Sequence, residues 1–175
     1  MDFRKPTARG ISLVELLTVV AIVGITLSFA TPSFRYIIDR NNLSTSANKF
    51  ISIINLARSE SVNRNLHTVI CPSMDGIHCH DRYDHWETGY LLFVDSNGNR
   101  EHDSFEAVIH FVQDMDSINI STTRGRKRIV YHPSGWAAGS NMTIRFCSTD
   151  SGSEAKITIS NSGRVRKWPS VDKCH

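Results

Sequence analysis

Three patterns of hydrophobic and polar residues follow one another along the chain. From Leu16 to Phe34 there is no charged residue. At about 1.5 Å per residue, a helix of that length can cross the ~30 Å apolar core of a bilayer. Pro32 lies inside this run and is expected to kink or loosen the helix, which resumes beyond it. Leu43, Ala47, Phe50, Ile54, Ala57 and Ser61 then recur at alternating steps of four and three, while Asp39, Arg40, Asn41, Lys49 and Glu60 fall off that stripe. This is the pattern of an amphipathic helix with one face for a core.

From His67 onward the period changes. His67–Cys71, Gly89–Val94, Val108–Phe111, Ser117–Ser121, Ile129–His132, Met142–Cys147 and Ile157–Ser160 read as short strands. Asp95-Ser96-Asn97-Gly98-Asn99, Pro133-Ser134-Gly135 and Asn161-Ser162-Gly163 supply the turns between them. A long helix followed only by strands predicts an α+β fold, with an antiparallel sheet wrapped on the amphipathic half of the helix. The chain then divides into a leader (residues 1–10), a hydrophobic helix (11–35), an amphipathic helix (36–65) and a β-rich head (66–175).

The start of the chain admits three readings. Arg4, Lys5 and Arg9 precede the apolar run, and Glu15 is the one charge between Arg9 and Arg35. A secretory signal cleaved after Ser28-Phe29-Ala30 would release a soluble protein, but it would place Glu15 inside the apolar region of the signal. An uncleaved membrane anchor is the second reading. The third is cleavage between Gly10 and Ile11, which makes Glu15 the fifth residue of the mature chain. A carboxylate in a membrane-length apolar helix is costly and reads as functional. In a filament of parallel helices it can pair with the α-amino group of a neighbour.

A short basic leader ending in Gly10, followed by Leu13, Glu15 and an apolar helix with Pro32, resembles a type IV prepilin. Ile11 stands where Phe is more usual in that family. The resemblance implies cleavage after Gly10 by a prepilin peptidase, N-terminal methylation of Ile11, and filament assembly through Glu15. Further along, Cys71-Pro72-Ser73, Cys79, Trp86-Glu87-Thr88-Gly89-Tyr90, Phe93-Val94-Asp95 with Asn97-Gly98, Cys147 and Ser162-Gly163-Arg164-Val165-Arg166 resemble the GspH/FimT pseudopilins. The similarity spans nearly the whole chain and implies a type IV pilin-like fold.

Net charge is only +3, but it is unevenly spread. Residues 71–106 carry eight acidic side chains against two basic ones, and residues 117–175 carry ten basic against three acidic. A basic C-terminal half points to a polyanionic partner. With the basic leader on the cytoplasmic side, the head lies outside the inner membrane, in an oxidising compartment where disulfides form. Cys71, Cys79, Cys147 and Cys174 allow three connectivities, of which Cys71–Cys79 with Cys147–Cys174 is the simplest.

No constellation for catalysis or metal binding stands out. Cys71, His78, Cys79, His80 and His85 lack a zinc-ligand spacing, and oxidation would consume both thiols. Asp95, Asn97, Asn99 and Glu106 fall at positions 1, 3, 5 and 12 of a calcium-loop pattern, but Arg100 stands where the sixth position needs glycine. There is neither a Gly-x-Ser-x-Gly nucleophile elbow nor a phosphate-binding glycine loop. The expectation is a protein with no enzymatic activity, cofactor or metal.

Two basic clusters remain. Arg124, Arg126, Lys127 and Arg128 form a loop, and Arg164, Arg166 and Lys167 follow Gly163 beside Trp168. In an extended segment Arg164 and Arg166 point the same way. A bland reading makes them a charged edge that discourages strand pairing. Gly-Arg-x-Arg at this place resembles the FimT branch and implies DNA uptake during natural transformation. Sequence-independent DNA contact would then run through Arg164, Arg166 and Lys167, with the Arg124–Arg128 loop as a weaker candidate. The expected partners are other pilins, the prepilin peptidase, the inner membrane and DNA. The expected location is the inner membrane with the head in the periplasm, then a pilus or pseudopilus at the cell surface. The rivals are a structural pseudopilin of type II secretion and a soluble protein released near Ala30.

Overall fold

The computed structural model describes residues 10, 12–113 and 117–174, and of residues 28–35 the helical backbone alone. The chain divides into two units, one ending at Ile38 and one beginning at Asp39. Helix α1 (Leu13–Arg64) contributes to both, and its helical backbone runs through Pro32 without a break.

In the first unit, Ser12 starts the helix. Its hydroxyl accepts the Glu15 N–H at 3.4 Å and its carbonyl accepts the Leu16 N–H at 3.1 Å. Ser-x-x-Glu is a capping signature, and a carboxylate in the first turn faces the positive end of the helix dipole. Leu13, Val14, Leu16, Leu17, Val19, Val20, Ile22, Val23, Ile25 and Leu27 are all exposed, so this unit offers apolar surface on every side. Among the described residues, no helix is long and apolar enough to cross a membrane. Of the span expected over residues 11–35, side chains are described only as far as Leu27.

The second unit is the head. All six residues of the amphipathic stripe, Leu43 through Ser61, are buried. They pack on two four-stranded antiparallel sheets, where a single sheet was expected. The first joins β1 (His67–Pro72), β2 (Gly89–Asp95), β3 (Val108–Gln113) and β5 (Ile129–Tyr131) in the order β3-β2-β1-β5. The second joins β4 (Ile118–Thr122), β6 (Met142–Ser148), β7 (Glu154–Ile159) and β8 (Val165–Lys167) in the order β4-β6-β7-β8. The chain changes sheet three times, between β3 and β4, β4 and β5, and β5 and β6.

One core serves helix and sheets. Phe50 stands at its centre, edge-on to Tyr90 at 4.7 Å, Phe146 at 5.6 Å and Trp86 at 5.7 Å between ring centroids. Ile70 and Leu92 reach it from the first sheet, and Ile120, Ile144 and Ile157 from the second. Both disulfides join the simplest pairs, Cys71–Cys79 and Cys147–Cys174. The first closes a loop beside β1, where the Asp75 carboxylate accepts the Ile77 and His78 amides at 2.9 and 2.8 Å. The second ties the tail to β6.

The strand expected at Ile157–Ser160 starts earlier, at Glu154. Beyond the Asn161-Ser162-Gly163 turn, where no strand was assigned, Val165–Lys167 forms β8, an edge strand.

Candidate nucleic-acid interface

The turn before β8 determines where its arginines point. Gly163 N–H donates to the Ser160 carbonyl at 2.9 Å, and Ser160 N–H to the Arg164 carbonyl at 3.0 Å. This closes a hairpin whose last residue is left-handed, with Gly163 at φ 78°. Space as well as conformation demands glycine there. A Cβ would lie 2.5 Å from the Gly135 carbonyl oxygen and 2.8 Å from the Tyr131 ring. The Tyr131 hydroxyl donates to the Gly163 carbonyl at 3.0 Å. Burial pushes the Tyr131 phenol up to about 12, so it stays a neutral donor. Gly163→Ala should destabilise the head by about 2 kcal/mol, since a left-handed alanine alone costs roughly 1–2. Thermal melting of the variant measures this.

Beyond the turn, period-two alternation sorts the side chains. Val165 faces the core, while Arg164 and Arg166 are exposed on the solvent face. Neither arginine has an acidic partner among the described residues. Lys167 takes the opposite side, which corrects its grouping with the two arginines. Its ammonium donates to the Ser44 hydroxyl and the Asn48 side-chain oxygen of α1, both at 2.8 Å. The alternation that sends both arginines outward sends Lys167 inward.

Trp168 continues the solvent face. Its indole N–H donates to the Thr158 hydroxyl at 3.2 Å. The Arg166 guanidinium lies 4.1 Å from the ring centroid and the Lys156 ammonium 5.1 Å. Thr158 is the cross-strand partner of Arg166 in the β7–β8 ladder, and the Trp168 N–H bonds the Lys156 carbonyl at 2.9 Å. Pro169 follows, which favours extended backbone at Trp168 and supplies no N–H for the ladder. The pairing then resumes one residue out of register, with Glu154 opposite Val171.

Lys156 escapes the reading of the sequence as a site residue, because a strand begun at Ile157 leaves it out. Begun at Glu154, the alternation Ala155-Lys156-Ile157-Thr158-Ile159 places Lys156 on the solvent face.

The other basic cluster is differently placed. It follows β4, the strand at the opposite edge of the sheet from β8, three strand spacings or about 14 Å across. Most of its charge is already engaged. Lys127 pairs with Asp81 at 3.3 Å, and Arg128 with Asp81 at 3.5 Å and with Glu101. Arg126 donates to the Gly139 carbonyl and to Asn141 at 3.1 Å, while Arg124 is exposed. Part of the charge asymmetry seen in the sequence is thus resolved inside the head.

Gly10 is exposed, Ile11 lies outside the described residues, and Glu15 sits in the exposed first turn of α1. His78 is held by Asp75 at 2.7 Å, and Cys71 and Cys79 are joined to each other. In the calcium-like loop, Asp95 accepts the amides of Gly98 and Arg100 at 2.8 and 3.1 Å. Glu106 accepts the amides of Ser96 and Asp103 at 2.7 and 3.2 Å. Those carboxylates close a turn with their own backbone.

Comparison with known proteins places this architecture. Residues 46–163 match the family described as type II transport protein GspH. The match ends at Gly163, immediately before the arginine pair. The chain is 30% identical over 166 residues to the pilin-like protein PilA1 of Thermus thermophilus, covering 91% of this chain and 98% of that protein. Its fold is similar to the type IV minor pilin FimU of Pseudomonas aeruginosa, with a TM-score of 0.58 and 19% identity over 78% of this chain and 97% of that one. It is also similar to the minor pseudopilin EpsH of the Vibrio cholerae type 2 secretion system, with a TM-score of 0.52 and 10% identity over 73% and 96% of the two chains. The extent of the family match and the 30% identity to a pilin-like protein over nearly its whole length show that this chain belongs to the GspH family of type IV minor pilins and pseudopilins.

Proposed function

We propose that this chain is a minor pilin of a type IV pilus that binds DNA without sequence preference for uptake in natural transformation. The observation that carries the proposal is the pair Arg164 and Arg166, exposed on one face of an edge strand without an acidic partner among the described residues. A guanidinium offers phosphate a planar fork of donors, and two on one face can grip one backbone. Contact to phosphate alone carries no sequence preference, as uptake of arbitrary DNA requires.

The rest of the chain serves assembly in this proposal. A prepilin peptidase cuts between Gly10 and Ile11, Ile11 is methylated, and Glu15 meets the α-amino group of a neighbouring subunit. The helix that is apolar on every side is first an inner-membrane anchor and then part of a filament core, because such a surface is stable only when covered. The head stands in the periplasm and later on the pilus. The protein catalyses no reaction.

The test uses the full chain purified in detergent and a fluorescent 30-base-pair duplex. Binding should weaken with salt, with log K falling against log salt at a slope of about −1.8 or steeper, the value for the two phosphates met by Arg164 and Arg166. Arg164→Gln with Arg166→Gln should lower affinity by about tenfold or more while the melting temperature stays unchanged. Unchanged binding by a folded double variant overturns the proposal.

A second reading is a structural pseudopilin of type II secretion, favoured by the family description and the fold likeness to EpsH. It predicts no DNA affinity, and loss of the gene would stop protein export with transformation intact. N-terminal sequencing addresses the third reading. A secreted protein cut after Ala30 begins at Thr31, within helical backbone, whereas a processed pilin begins at Ile11.

A further inference from the structure

We propose that the DNA site extends from the arginine pair to Lys156, and that Trp168 is a positioning residue between two phosphate-binding cations. The ligand is then the densely charged backbone of duplex DNA in preference to single strands. This rests on the DNA-binding reading above.

The argument starts from register. Arg166 and Trp168 are two residues apart on β8, and Thr158 and Lys156 are two apart on β7. Thr158 faces Arg166 in the ladder, and the Lys156 carbonyl takes the Trp168 amide. The four side chains therefore occupy the corners of a quadrilateral on one face of the sheet. The bond from the indole N–H to Thr158 lays the ring along one diagonal. Arg166 and Lys156 hold the two remaining corners, at 4.1 and 5.1 Å from the ring centroid.

This arrangement has two effects. Cation–π attraction holds two flexible cations over a ring whose orientation the Thr158 bond fixes, so less side-chain freedom is lost when phosphate binds. It also covers the surface on which a base would have to stack. An aromatic residue that binds single strands keeps an open face. Here a base competes for the ring with two of the protein's own cations. With stacking opposed, charge density decides, and duplex DNA presents one phosphate per ~1.7 Å of axis against ~3.4 Å for a single strand. Arg164, Arg166 and Lys156 thus form a row of cations for a duplex.

The test measures affinity of the full chain in detergent for a 30-base-pair duplex and for a 30-nucleotide single strand across a salt series. Wild type should prefer the duplex. Lys156→Gln should weaken duplex binding by about threefold or more and flatten the salt slope by about 0.9. Trp168→Leu should weaken duplex and single strand by the same factor, about threefold, and Trp168→Phe, which retains an aromatic face but loses the bond to Thr158, should restore part of it. The inference is overturned if wild type prefers single strands, if Lys156→Gln changes neither affinity nor slope, or if Trp168→Leu selectively abolishes single-strand binding. Lys156→Gln alters a partly exposed side chain and decides the question even if Trp168→Leu fails to fold. The two proposals separate cleanly. Loss of binding in the Arg164/Arg166 double variant with no effect at Lys156 and Trp168 defeats only this inference. Full binding in the double variant defeats both.

Discussion

Phe50→Ala should destabilise the head by about 3–5 kcal/mol, the usual cost of removing a buried phenylalanine that its neighbours cannot replace. Phe50 has no solvent exposure. It contacts three aromatic rings edge-on, from the segment before β2, from β2 itself and from β6. Those partners are anchored in two different sheets, so neither sheet can close the cavity without breaking its own ladder. Each edge-to-face pair adds about 0.5–1.5 kcal/mol beyond the area it buries. Urea unfolding of the purified chain, followed by near-ultraviolet circular dichroism, would read the loss. Phe50→Leu should recover part of it by refilling volume without the ring contacts. A midpoint equal to wild type for Phe50→Ala would contradict the central position assigned to this ring.

Cys147→Ser with Cys174→Ser should cost about 3–4 kcal/mol, the loop-entropy value for a bridge across 27 residues. The closed loop contains all of β7 and β8 and the turn between them. Opening it should also free the tail, which is otherwise held by the mutual amide bonds of Glu154 and Val171 and by the Cys174 amide on the Gly152 carbonyl. Hydrogen exchange should accelerate from Val165 to Cys174 before it does so in β6. Under the proposed DNA-binding function, affinity should fall too, because mobile arginines lose more freedom on binding. Serine variants without a stability change would show that the ladder alone holds the tail.

The helix was legible in the sequence because it packs on one side only, so every residue of the stripe from Leu43 to Ser61 falls on its buried face, which Ile53 completes. The outward direction of Arg164 and Arg166 was legible for a similar reason, since it depends on period-two geometry. Lys167 shows the same rule left unfinished: one more step along the strand turns it inward. β8 was hard to recognise because Val-Arg-Lys has no apolar alternation, and its partner strand, not its own composition, makes it extended. The neutralised loop could not be read locally at all. Lys127 meets Asp81 across 46 positions and Arg128 meets Glu101 across 27, so the acidic and basic halves of the chain partly answer each other. Two sheets in place of one reflect the same non-locality, since consecutive strands β4 and β5 join different ladders.

The grip on Lys167 has a mechanical consequence. A three-residue edge strand held only by its ladder peels one bond at a time when pulled from its outer face. Here any outward pull on Arg164 and Arg166 is shared. Before the strand the Tyr131 hydroxyl clamps the turn, at its last residue Lys167 hooks onto α1 through Ser44 and Asn48, and beyond it the Cys174 cross-link reaches β6. The load leaves the edge at three points and enters the helix and both sheets together, so the strand must shear as a unit instead of unzipping.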